Sequence, residues 1–296
     1  MFDLRYHVAS LAAVFVALVL GIFVCVGLSG RGFVSDAERE NLQSRIAELA
    51  AERDEAVARA QAAGLRGTAL DDYARTSYPD LVRDRLDGRS VGVVFIGSVD
   101  QGVAETVRRA VDDAGGRVAT LRALRVPLDG EGIDAALGAD PATRELAGPD
   151  NREQLGRALA RELVTSGPDP VLDRVAAALV EEQSGPATPA VDAVVVARPA
   201  RPQSGETQAF LGGLYGGLAA APLPAVGVDQ ADDAVSAVPV FRRSGLATVS
   251  GIDDATGQVA LVYLLAGARS GSYGLGESAV DGVLPTPVTV QPPVRE

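Results

Sequence analysis

The run Val91-Gly-Val-Val-Phe-Ile96, followed by Gly97-Ser-Val-Asp-Gln-Gly102, decides the fold. The first six residues carry no polar side chain and read as a strand buried on both faces. The second six form a polar turn, and residues 102–114 then read as a helix. Gly115-Gly116 closes that helix as a C-cap pair, and residues 118–121 read as a second strand. Strand, helix and strand within about 30 residues make a βαβ unit, so a mostly parallel sheet is expected.

The alternation continues downstream. Residues 152–165 and 171–182 read as helices, 191–197 as a second apolar strand, and 207–219 as a helix. Strands are expected at 225–228 and 246–249, with a helix at 256–268. Together they predict an α/β fold: a layered α/β domain over residues 88–284. Residues 285–296 form a Pro-rich tail.

Upstream of this domain, residues 8–28 hold no charge, and Ser10 is the one polar side chain among them. At about 1.5 Å per residue the run is about 30 Å long, the thickness of a hydrocarbon core. It exceeds the apolar region of a cleaved signal peptide, and Gly27-Leu28-Ser29-Gly30 is a poor cleavage match. The bulky Ile22-Phe23-Val24 before Cys25 argues against lipoprotein processing. The run reads as an uncleaved anchor, one N-terminal transmembrane helix. Arg5, His7 and the free amine outweigh Asp3 before it, and Asp36, Glu38 and Glu40 follow it. That asymmetry predicts residues 1–7 in the cytoplasm and the bulk outside, in the cell envelope. Ala9, Ala13 and Ala17 share a face that suits close helix approach, although no GxxxG motif is present.

Residues 33–64 read as a short coiled-coil stalk. Leu42, Ile46 and Leu49 form its seam, and the register continues through Arg53, Ala56, Ala60 and Ala63. Ser35 with Glu38 has the spacing of a capping box. Two good heptads are marginal alone, but membrane tethering raises local concentration, so a homo-oligomer through anchor and coil is expected. The alternative is a helix whose narrow stripe packs on its own α/β domain. Residues 65–87 read as a linker in which Tyr73, Tyr78 and Leu81 dock on the domain, with 75–85 as a solvated helix face.

Composition narrows the chemistry. With 296 residues and a net charge of −12, the chain lacks the basic face that nucleic acid requires. Every basic residue other than His7 is Arg, a bias of GC-rich genomes. One Cys excludes an internal disulfide or CxxC site, and one His, at position 7, excludes a histidine triad in the body. No Lys is present to activate a Ser nucleophile. Aromatic content of 4%, with no Trp, makes a carboxylate-based sugar hydrolase unlike this chain. No enzymatic activity is expected.

The remaining motifs read as architecture. In Gly97–Gly102, Asp100 caps the following helix, and the spacing is not that of a nucleotide loop. Gly212-Gly-Leu-Tyr-Gly-Gly217 lies inside an apolar helix, where small residues four apart allow close packing on the sheet. Ser270-Gly-Ser-Tyr-Gly-Leu-Gly276 reads as a structural loop. The acidic pairs Asp71-Asp72, Asp112-Asp113, Asp232-Asp233 and Asp253-Asp254 lack EF-hand spacing, and Asp253-Asp254 is expected to cap a helix.

Several segments together resemble the actinobacterial MctB-type copper transporter family. They are Leu4-Arg-Tyr-His-Val-Ala-Ser-Leu-Ala-Ala-Val-Phe-Val-Ala-Leu, Gly257-Gln-Val-Ala-Leu-Val262, Leu265-Ala-Gly-Ala-Arg-Ser-Gly-Ser-Tyr-Gly274 and Leu284-Pro285, with the unit 91–121. Arg5, Tyr6, His7, Arg269, Tyr273 and Gly274 carry the motif positions. The resemblance implies a membrane-anchored envelope protein with a role in copper transport or homeostasis. It also implies, through a branch linked to cell separation, an alternative role in division or cell-wall remodelling with a membrane or cell-wall protein partner.

Copper is implied by that resemblance alone; the residues point to no cofactor. Cu(I) prefers thiolate, thioether and imidazole. The candidates are Met1, His7 and Cys25, all outside the α/β domain. His7 and Cys25 stand 18 residues apart, about 27 Å on one helix, so one chain cannot chelate with both. Direct chelation by the α/β domain is not expected.

Overall fold

The computed structural model describes residues 4–29, 36–165, 167, 170–186, 190–198, 201–230 and 236–288. The chain divides into two compact units, residues 1–68 and 69–296. Ser35, Asp232-Asp233 and the tail from 289 lie outside the described residues.

The first unit is helical. Helix α1 spans Leu4–Ser29, and its stretch His7–Gly27 is long and apolar enough to cross a membrane. No part of that stretch is covered by protein, so its Leu, Val, Phe and Ile side chains stand exposed. Helix α2 begins at Asp36 and runs to Val82 without a break, 47 residues and about 70 Å. This corrects the linker expected at 65–87. Gly64 and Gly67 each cost only about 1 kcal/mol relative to Ala in a helix, and Ala, Leu and Arg surround them. Pro79 falls in the last turns, where the Arg83 amide still donates to its carbonyl at 3.1 Å.

In the second unit a seven-stranded sheet has the order β3-β2-β1-β4-β5-β6-β7. Its strands are β1 (Ser90–Ile96), β2 (Arg117–Leu124), β3 (Val180–Ser184), β4 (Ala193–Ala197), β5 (Ala225–Asp229), β6 (Ala247–Ser250) and β7 (Ser272–Gly274). All pairs are parallel except β2 with β3. All seven residues of β1 are buried. Val93 and Phe95 enter one core, and Val94 and Ile96 the other. The first core is covered by α3 (Gln101–Asp113), α9 (Ala255–Leu265) and the end of α2. The second is covered by α4 (Gly130–Gly138), α5 (Arg152–Val164), α6 (Pro170–Leu179), α7 (Gly205–Ala219) and α8 (Val238–Arg243). The layered α/β reading holds.

Details depart from the sequence reading. The helix expected at 171–182 ends at Leu179 and gives way to β3, whose mostly exposed edge position lets Glu and Gln stand where apolar residues were sought. Tyr78 docks as expected, its hydroxyl donating to Asp113 at 3.1 Å, and Leu81 packs beside it. Burial first, then the Asp113 carboxylate, push the Tyr78 hydroxyl well above its ordinary pKa. Tyr73 does not dock; it is exposed.

Within 212–217, Gly213 and Gly217 serve a helix-on-helix contact rather than helix-to-sheet packing. A Cβ on Gly156 of α5 would overlap the Phe210 carbonyl of α7, and one on Gly213 would overlap the Glu153 carbonyl. Gly217 similarly faces Ala160 and Arg157. The backbones of α5 and α7 therefore touch, which no side chain would permit. Gly156→Ala and Gly213→Ala are each expected to destabilise by roughly 1–3 kcal/mol or more. Gly212→Ala, with nothing near its added methyl, should be neutral or stabilising by up to about 1 kcal/mol. Urea unfolding midpoints of the three variants check this contrast.

Candidate functional site

The soft metal ligands lie on or before α1. His7 and Cys25 are both exposed on it, and Met1 lies outside the described residues. Arg5 and Tyr6 fall in the first turn of α1, but their side chains are outside the described set. No group of three or more His, Cys, Asp or Glu converges to hold a metal among the described residues. The seam residues Leu42, Ile46 and Leu49 are all exposed on α2.

The segment 270–276 forms a sheet edge. The expected loop is corrected: Ser272–Gly274 is β7, parallel to β6. The Ser272 amide donates to Asp281 at 2.8 Å, and the Thr248 and Ser272 hydroxyls pair at 2.6 Å. Tyr273 is buried in the first core, while Arg269 is exposed. Gly274 has φ +115°, and a Cβ there would overlap the Ser250 carbonyl. Tyr273 and Gly274 thus belong to the last strand of the sheet, with Arg269 just before it.

Strand order reverses at β1, because its chain leads to β2 on one side while β4 leads to β5 on the other. At such a reversal the loops leaving the strands diverge and open a crevice, the usual ligand position in open α/β sheets. Here a small cavity of about 140 Å³ is lined by Asp100, Val103, Ala197, Arg198, Val228, Asp229 and Gln230. Asp100 caps α3 as expected, accepting from the Val103 amide at 3.0 Å. Asp229 accepts from the amides of Gln230 at 3.0 Å and Ala237 at 2.8 Å. Both carboxylates are thus committed to backbone donors. Asp254 stands at the N-cap position of α9, as expected, although no side-chain capping bond to the helix forms there.

A second polar centre was not signalled by any motif. Arg152, 1% exposed, bonds Asp134 with Nη1 at 2.7 Å and Nη2 at 3.0 Å, Glu206 with Nε at 2.9 Å, and the Gly130 carbonyl at 3.2 Å. It ties α4, α5 and α7 together. Its partners lie 18 and 54 residues away in the chain, so local pattern could not reveal it.

A family model described as "Copper transport outer membrane protein, MctB" matches residues 1–285. The chain belongs to the MctB family. Relatives named copper transporter MctB, from Mycobacterium bovis and Mycobacterium tuberculosis, are 31% identical over 118 residues. That stretch is 40% of this chain and 36% of theirs, so the match spans about a third of their length. Family membership and the N-terminal apolar helix fit a membrane-anchored envelope protein. The MctB match covers both α1 and nearly all of the sheet domain.

Asp134 offers a pH test of the buried cluster. Bonding from Arg152 and the Gly148 amide holds its carboxyl below the ordinary value, against some opposition from burial. A lowered carboxyl contributes stability that is present above the unfolded value, about 3.9, and is lost as pH falls through the folded value. Urea unfolding of Asp134→Asn against the natural chain should therefore show a constant gap above about pH 5. That gap should shrink as the pH drops below about 4. Arg152→Ala leaves both carboxylates without their partner and should cost about 3 kcal/mol at neutral pH.

Proposed function

We propose that the chain is a non-enzymatic, single-pass envelope protein with a role in copper homeostasis, as one component of an oligomeric transport assembly. The observation that carries this reading is the family match across residues 1–285, which takes in the anchor as well as the sheet domain. Its N-terminus lies in the cytoplasm and its α/β domain outside, supported by Arg5 and His7 before the span and the acidic residues after it. Copper acts as cargo or signal, not as a resident ion of the α/β domain, because that domain contains no Cys, Met or His. Oligomerisation runs through the exposed seam of α2. Leu42, Ile46 and Leu49 offer their apolar side chains at 54–66% exposure, and a parallel partner would cover them.

A second reading has its own support. A 47-residue helix with an exposed seam, in a chain whose α/β domain has no soft ligand, suits a division or cell-wall protein that binds a protein partner. A deletion strain separates the two. Copper homeostasis predicts raised cell copper and lower copper tolerance with normal septation. Unchanged copper content and tolerance would sink it, and a septation defect in that strain would favour the second reading.

Crosslinking of the full chain in detergent should trap dimers or higher oligomers, and Ile46→Asp should reduce them at least severalfold. A monomer under the same conditions contradicts the stalk.

A further inference from the structure

A cavity of about 250 Å³ opens between α7, α8 and the segment that follows β4. Its polar lining consists of Arg198, Gln203, Gln208, Tyr215, Arg243 and Ser244. Among the described residues neither Asp nor Glu lines it, in a chain of net charge −12. The acid nearest in sequence, Glu206 in the first turn of α7, is held at 2.9 Å by Arg152.

Two of these lining residues each carry a buried polar atom with no partner among the described residues. Arg198 is 9% exposed; its Nη2 donates to the Arg201 carbonyl at 3.1 Å, but its Nε is unmatched. Tyr215 is 1% exposed, and its hydroxyl is likewise unmatched. Its ring is fixed edge-on to Phe241, with centroids 5.1 Å apart. Buried donors left unmade are costly, and buried guanidinium groups are normally paired. The Arg198 charge acts on the Tyr215 hydroxyl, so the two groups sit within electrostatic reach of each other. Arg243, exposed at the end of α8, adds a second guanidinium to the rim. Planar guanidinium forks match carboxylate and phosphate oxygens in geometry as well as charge.

We propose that this cavity binds a compact oxyanion, a carboxylate or phosphate group, held by Arg198 and Arg243 with the Tyr215 hydroxyl as a further donor. The site is independent of copper, for it contains no soft ligand. It occupies the same end of the sheet as the reversal crevice, and Arg198 lines both.

Thermal unfolding of the purified full chain tests this at constant ionic strength, with chloride as the reference salt. One arm adds inorganic phosphate; the other adds an N-acetylated dipeptide with a free carboxylate. The expected result is a saturable rise of Tm in at least one arm, which names the source of the oxyanion. Half-saturation should weaken about tenfold or more in Arg198→Met and in Arg243→Gln. Tyr215→Phe should weaken it less while leaving the ligand-free Tm equal or higher. Arg243 is exposed, so its variant keeps the test valid if Arg198→Met fails to fold. No shift in either arm, or the same shift in the natural chain and in Arg243→Gln, overturns the proposal.

Discussion

Burial of β1 on both faces is the constraint on which the rest of the domain depends. Val93 and Phe95 need one apolar layer and Val94 and Ile96 another, so helices must cover the sheet twice. Parallel partners on each side, β2 and β4, satisfy its backbone. Because β1 sits where strand order reverses, the chain segments leaving β1 and β4 part company. The polar residues at the carboxyl ends of β4 and β5, Arg198 and Asp229, are placed by that divergence. In the second layer α5 and α7 meet backbone to backbone through Gly156 and Gly213, and Arg152 locks them to α4.

The sheet core was legible because burial on two faces forces uninterrupted apolar runs, as in 91–96 and 191–197. Helix α3 was legible for a different reason: Val103, Ala104, Val107, Ala110 and Val111 repeat at helical spacing on one buried face. What escaped was short, polar or glycine-rich. Strand β3 is a mostly exposed edge written Val-Glu-Glu-Gln-Ser, α8 is a six-residue helix, and β7 is three residues inside a Gly-Ser-rich segment. The continuity of α2 is hidden because Gly64, Gly67 and Pro79 interrupt the pattern, while the helix formers around them carry the helix through. The polar centres escaped for a further reason. In a chain whose basic residues are nearly all Arg, composition does not mark which Arg is buried. Arg198 did leave one signal, its position directly after an apolar strand, where ligands gather in open α/β sheets.

Family membership and side-chain chemistry pull on the copper question from different ends. The MctB match reaches from the anchor to the last strand. The sulfur and imidazole groups lie on or before α1, and the sheet domain offers only oxygen and guanidinium groups. A copper role that respects both keeps the metal at the membrane segment or on a partner. On the reading proposed above, the α/β domain recognises something anionic or proteinaceous.

Competition of the purified full chain against a chromogenic Cu(I) chelator, with the His7→Gln/Cys25→Ser double variant alongside, tests this division of labour directly. The account predicts that the double variant withdraws no Cu(I) from the chelator. Stoichiometric withdrawal by that variant would contradict it, since Met1, a single thioether, would be the one soft side chain left and the site would have to lie in a domain without any.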